Sequence, residues 1–329
     1  QPLYGEPIYS QGRIIGITRK NSSVGLGAEI SLEPAAQLEI SINPSSCLDR
    51  IRNTYDEFIN VISPVLSEMN CELLCAGYHL KSRVDELSLI PKQRYEFMYN
   101  HFKTTGSRGK YMMKGTAATQ VSVDYEDETD FSMKFRVANI LSPIFSYLCD
   151  NADFFEGEPY SGKMLRTHIW NDVDPARSMI VSGACDGNFG FSEYAKYIYE
   201  MPPIFFDETY TGNKKTSELF ANRELSPDEI EHITNMAFPD VRLKNRIEIR
   251  MADSMPIEKT MEFTALIKKI FYDKEILKNL YNETLQIKNR HIAEAKAELI
   301  DYGENAVVYG KPIKTWIADV DEHLIAEWN

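Results

Sequence analysis

The chain has 329 residues, 43% of them hydrophobic and 26% charged, with a formal net charge of −13. That composition belongs to a globular protein long enough to bury a sizeable core. The acidic balance disfavours nucleic acid or an anionic membrane as partner, and no apolar run approaches the roughly 20 residues that span a bilayer.

In chain order, residues 12–18 and 31–42 read as strands joined by a polar, glycine-bearing turn. Asn43-Pro44-Ser45-Ser46 opens a helix whose apolar positions, from Leu48 to Met69, recur every three or four residues; Pro64 is expected to kink it. Residues 71–78 are predicted as a buried strand, 91–103 as a short helix after Pro91, and 116–125 as a strand. Asp127 to Asp130 caps a helix running to about Cys149. A strand near 164–170, a helix over 192–199, a helix start at Ser226-Pro227-Asp228-Glu229, a strand over 246–251 and a helical stretch over 257–301 follow. The tail ending in Glu327-Trp328-Asn329 reads as polar and amphipathic. No internal repeat or linker stands out, which gives one α+β unit over 1–329: a sheet-bearing core, 1–255, and a helical C-terminal portion, 256–329.

The five cysteines lack metal-site spacing; Cys71 and Cys75 are expected as small buried hydrophobes, and a reducing, cytoplasmic setting is expected. Gly183, Gly187 and Gly190 match neither a P-loop nor a dinucleotide fingerprint and read as turn residues.

Three strands share one habit. Over 31–42, Glu33, Gln37, Glu39 and Ser41 fall on the face opposite Leu32, Leu38, Ile40 and Ile42. Over 116–125, Gln120, Ser122 and Asp124 share a face; over 246–250, Arg246, Glu248 and Arg250 do. In a single sheet these faces would make a charged floor, with Glu33, Glu39 and Glu248 able to hold divalent cations and Arg250 a phosphoryl group. Alternation also suits any half-exposed antiparallel sheet. In 164–177, Arg166 and Arg177 flank Trp170 and several acids, which suits recognition of an amino-acid carboxylate or, equally, a surface salt-bridge cluster.

Residues 31–39 resemble the SLEPGGQFE segment of the glutamate–cysteine ligase family, in its plant and alphaproteobacterial branch. Residues 91–96 are similar to the family's PKGRYE, 116–125 to TCTVQVNLDF, 166–170 to RSHIW, and 238–253 to FPEVRLK…EMRGAD, in the same order. The resemblance covers most of 8–255 and implies a glutamine-synthetase-like fold, a curved and mostly antiparallel sheet with flanking helices. It also implies a Mg²⁺- and ATP-dependent reaction, the first step of glutathione biosynthesis. In it the γ-carboxylate of glutamate forms γ-glutamyl phosphate, and the amine of cysteine captures that acyl phosphate. By the same resemblance Glu33, Glu39 and Glu248 are metal ligands, and Arg250 contacts phosphate. Arg166 and Arg177, with Gln120, Ser122 and Trp170, hold substrate. Its partners would be glutamate, cysteine and ATP, with neither nucleic acid nor membrane, in a monomer or homodimer. Ala35 and Ala36 stand where the family has glycines, Ala117 and Ala118 where it has Cys and Thr, and Ser122 where it has Asn. A shorter side chain at 122 leaves a different acceptor amine open. The family's earlier Glu-x-Glu strand has no counterpart before Glu33, which leaves open a non-catalytic nucleotide-binding paralogue or a fragment.

Overall fold

The computed structural model describes residues 3–318. Strands β1 (Tyr4–Ser10) and β2 (Arg13–Arg19) form a hairpin closed by Gln11 and Gly12, whose φ angles are 47° and 74°. Positive φ at both turn residues matches the twist of the flanking strands. No strand is expected over 4–10, because Gly5 and Pro7 interrupt its pattern; its pairing with β2 shifts register twice. Strands β3 (Ala28–Leu32) and β4 (Leu38–Ile42) complete a four-stranded antiparallel meander.

The single strand expected over 31–42 is therefore a hairpin. Pro34 cannot donate to a ladder, and the Ala36 N–H donates to the Glu33 carbonyl at 2.8 Å. Ala36 sits at φ 66°, the left-handed region, where the family pattern carries a glycine; the strain is on the order of 1 kcal/mol. The division into faces survives on both arms. Ser31 pairs with Glu39 and Glu29 opposes Ser41, while Ala28, Ile30 and Leu32 meet Ile42, Ile40 and Leu38.

Helix α1 (Leu48–Glu68) runs on through Pro64. The strand expected over 71–78 is irregular backbone instead. Cys71 is exposed and Cys75 partly so, contrary to their expected burial. The Asn151 side chain captures the Cys75 carbonyl at 2.9 Å, and the Asn151 carbonyl accepts from Gly77 N–H, so these backbone groups are engaged outside a sheet.

Next come α2 (Gln93–Thr105), α3 (Gly109–Gly115), the short strand β5 (Val121–Val123) and α4 (Glu128–Leu148). Asp127 caps α4 by accepting from the Asp130 N–H, and Phe131, Phe135, Ile140, Ile144 and Phe145 bury it in the main core. The hairpin β6 (Phe154–Phe155) and β7 (Glu158–Pro159) leads to α5 (Leu165–Trp170). A strand is expected there; Met164, at φ 53°, redirects the chain and a helical turn follows, so Arg166 and Trp170 stack one turn apart.

Then follow α6 (Pro175–Ser178), α7 (Phe191–Glu200), β8 (Phe205–Phe206), β9 (Thr209–Tyr210), α8 (Thr216–Leu219) and α9 (Pro227–Thr234), the last opened by a Ser226/Glu229 capping box. Strands β10 (Val241–Leu243) and β11 (Ile247–Ile249) join β5 in a second antiparallel sheet, ordered β10-β11-β5. The polar strand faces thus belong to two sheets, not one.

The helical stretch from 257 divides into α10 (Ile257–Tyr272), α11 (Lys274–Glu283) and α12 (Asn289–Tyr302), because the Asp273 side chain caps a new helix. Ile267, Ile270, Ile292 and Leu299 place these helices in the same core as α4 and the second sheet. A small hairpin, β12 (Val307–Val308) and β13 (Lys311–Pro312), follows; the expected tail over 319–329 lies outside the described residues. The architecture is α+β, with antiparallel sheets, and among the described residues no helix is long and apolar enough to cross a membrane.

Candidate active site

The second sheet turns Val123, Val241, Leu243, Ile247 and Ile249 into the core, so the alternate positions line its other face. Register places Glu248 between Ser122 and Arg242. Glu248 is 4% exposed, and its carboxylate is ringed by cations. Arg242 meets Oε2 through Nε at 2.7 Å and Nη2 at 2.6 Å, with Arg250 Nη1 at 3.5 Å. Arg246 Nη2 and Lys244 Nζ lie 2.9 and 3.3 Å from Oε1. Burial alone would raise the Glu248 pKa, but Arg242, Arg250 and Lys244 outweigh it and hold it at about 2. Four cations around one acid leave a surplus of positive charge. Burial and Arg242 push the Arg250 pKa down to about 9, which leaves it charged at neutral pH. Arg250 Nη1 donates to Gln120 Oε1 at 3.1 Å, and Arg246 Nε to Ser122 Oγ at 3.2 Å.

The β3–β4 hairpin carries the opposite surplus. Burial of its surroundings and then the Glu33 carboxylate push the Glu39 pKa up, although Glu39 reaches solvent at the rim. Tyr95 donates to Glu33 Oε1 at 3.2 Å, and Lys92 Nζ holds the Leu32 carbonyl at 2.9 Å. Gln37 fixes the hairpin tip: its Nε2 lies 3.2, 3.2 and 3.3 Å from the carbonyls of Met113, Lys114 and Thr116. The Arg250 charge reaches Glu39 and pulls against the upward push of burial and Glu33, which puts the acidic hairpin within electrostatic range of the cationic sheet.

Beside Arg250 lies a small cleft lined by Arg166, Trp170, Phe238, Pro239, Asp240 and Arg250. Arg166, 6% exposed, donates from Nη1 to the Met251 carbonyl at 2.9 Å and stands 5.7 Å from the Trp170 ring. Its buried Nε and the buried Trp170 Nε1 have no hydrogen-bond partner among the described residues. Unsatisfied buried donors cost about 1–3 kcal/mol each, so both are poised for an acceptor. Burial pushes the Arg166 pKa down, while Asp253 and Asp240 push it back up.

The sequence profile of glutamate-cysteine ligase family 2 matches residues 6–326. This chain belongs to that family. Glutamate–cysteine ligase B, chloroplastic, of Oryza sativa subsp. japonica is 31% identical over 85% of this chain and 57% of its own length. The chloroplastic glutamate–cysteine ligases of Nicotiana tabacum and Arabidopsis thaliana are 32% and 31% identical over 85% of this chain and 54% of theirs. The chain spans a little over half the length of these relatives.

Within this member of the glutamate–cysteine ligase family, the predicted residues separate into groups. Arg166, Trp170 and Arg250 line one cleft, Gln120 and Ser122 brace the cationic face, and Glu33 and Glu39 form the acidic arm. Glu248, expected as a third metal ligand, has both oxygens engaged by cations, and among the described residues no group of three or more Asp, Glu, His or Cys is placed to hold a metal ion. Glu33 and Glu39 remain as a pair of neighbouring carboxylates, the hard oxygen donors that Mg²⁺ accepts in ones or twos.

Arg177 is not brought to the cleft. Its Nε lies 2.5 Å from Asp174, and its Nη1 and Nη2 donate to the carbonyls of Met236 at 3.3 Å and Pro202 at 2.9 Å. With His101 hydrogen-bonding Asp174 at 2.8 Å, these groups knit loops together and hold the Asp174 pKa at about 2 against the upward pull of burial. Tyr95, Asp240, Arg242, Lys244 and Lys296 were not singled out by the sequence. Arg242 and Lys244 show alternate spacing, but only three residues of strand β10 carry it. Lys296, on α12, reaches Asp240 Oδ2 at 2.5 Å; one lysine in a charged helix gives no local signal.

Proposed function

We propose that this chain carries the centre of an ATP-dependent ligase that joins the γ-carboxylate of glutamate to the amine of cysteine through γ-glutamyl phosphate. The observation that carries the reading is the pair of orphaned buried donors, Arg166 Nε and Trp170 Nε1, beside the cationic sheet face and within electrostatic range of the acidic hairpin. In the proposed reaction, Arg166 and Trp170 take the substrate carboxylate, which satisfies Nε and Nε1. Arg250, aimed by Gln120, stabilises negative charge on the phosphoryl group in transfer. Glu248 stays ionised and sets the positions of Arg242, Arg246 and Arg250. A bound Mg²⁺, held by Glu33 and Glu39, would neutralise phosphate charge. The same reading makes the two sheets the halves of a glutamine-synthetase-like floor, supported by the Glu39–Arg250 interaction across them. Five unpaired cysteines suit a reducing compartment, and we assign the cytoplasm.

The test is ADP release from Mg-ATP with the substrates added singly and together. The reading requires release that depends on glutamate and rises with cysteine. Release indifferent to glutamate would sink it. A different amine outcompeting cysteine would change the acceptor alone.

A further inference from the structure

We propose that Asp240 receives the α-ammonium group of the amino-acid substrate, and that Lys296 from the C-terminal helix α12 positions it for that contact. The inference rests on the ligase reading and goes beyond it by assigning amine recognition to a named carboxylate. The cleft offers guanidinium groups from Arg166 and Arg250 and an indole N–H from Trp170, all suited to carboxylates. Asp240 is the acid on its wall, and a simple diacid has no use for it. An α-amino acid does.

Asp240 is tied down from two directions. Its carbonyl accepts the Arg250 N–H at 2.8 Å, which fixes its backbone to the phosphate-facing strand. Its Oδ2 lies 2.5 Å from Lys296 Nζ, a charge contact without hydrogen-bond geometry that leaves the buried Oδ2 unsatisfied among the described residues, and the two side chains are 17% and 9% exposed. Arg166 already attracts this carboxylate. Without Lys296, Asp240 would be drawn onto Arg166, closing the carboxylate site and the ammonium site together. The lysine keeps the acid and the guanidinium apart, each free for its half of a zwitterion.

The experiment compares binding of L-glutamate and of glutarate, its counterpart without the amine, by calorimetry on the whole chain. Asp240→Asn should weaken glutamate about tenfold or more and leave glutarate unchanged or tighter. Glutarate binding also reports that the variant is folded. The double variant Asp240→Asn/Lys296→Met, which strands no buried lysine, should show the same loss of discrimination. Lys296→Met alone should weaken glutamate several-fold, and Lys296→Arg should restore it. Equal losses for both diacids, or glutamate binding untouched by Asp240→Asn, would overturn the assignment. An unaltered chain that binds neither diacid would instead remove the ligase reading, and this inference with it.

Discussion

The β3–β4 hairpin and the β10-β11-β5 sheet are built alike and charged oppositely. Each is antiparallel, with apolar residues on one face and alternate polar residues on the other. The hairpin sets Glu33 beside Glu39 with Lys92 held to a backbone carbonyl nearby. The sheet packs Arg242, Lys244, Arg246 and Arg250 around Glu248. Neither region is electrically complete, and they lack opposite things. A divalent cation and a polyphosphate would together supply both, and this is the support the pairing lends to the phosphoryl transfer proposed above.

The comparison breaks most sharply at Arg250. Arg250→Ala should lower glutamate-dependent ADP release by about 10²–10³-fold, read as kcat, with the fold retained by circular dichroism. Glu248→Gln should next destabilise the protein by about 3–5 kcal/mol in urea unfolding, because four cations lose their common anion. The pH dependence follows from the same carboxylate. Its folded pKa of about 2 lies below the ordinary 4.5. Its stabilisation, on the order of 3 kcal/mol, is full above pH 4.5 and fades as pH falls toward 2. The Gln variant should lack that part of the acid limb.

On the acidic side, Glu39→Gln should raise the Mg²⁺ concentration for half-maximal activity by roughly tenfold or more, since even supporting groups of metal sites matter that much. The metal-free protein should melt slightly higher, because an ionised Glu39 beside Glu33 is unfavourable; unchanged Mg²⁺ dependence would remove the hairpin from the metal site. The smallest effect belongs to Ser122→Ala, which removes one exposed hydrogen bond to Arg246. It should change stability by less than about 1 kcal/mol and ADP release by no more than a few-fold.

The sequence revealed faces better than connections. Glu33 and Glu39 were assigned to one face although a turn lies between them, because Leu32 and Leu38 are an even number of residues apart and pair across the hairpin. Parity survived where the strand did not. Arg246, Glu248 and Arg250 were legible for the same reason. Arg166 and Trp170 share a cleft although the element expected there was a strand, since six residues are too few to separate a period of 3.6 from one of 2. Arg177 looked identical in sequence to a substrate clamp, and its bonds to Asp174 and to the carbonyls of Met236 and Pro202 distinguish it. The Asp240–Lys296 pair joins residues far apart in the chain, and no local pattern records it.

Gln37 anchors the acidic hairpin in a way its neighbours do not. The charges around it respond to ionic strength and proton concentration, but the tie from the hairpin tip to the end of α3 is a neutral amide gripping backbone carbonyls. An amide neither titrates nor attracts counterions. Salt or acid will therefore retune what the acidic arm binds while leaving that tie as it was.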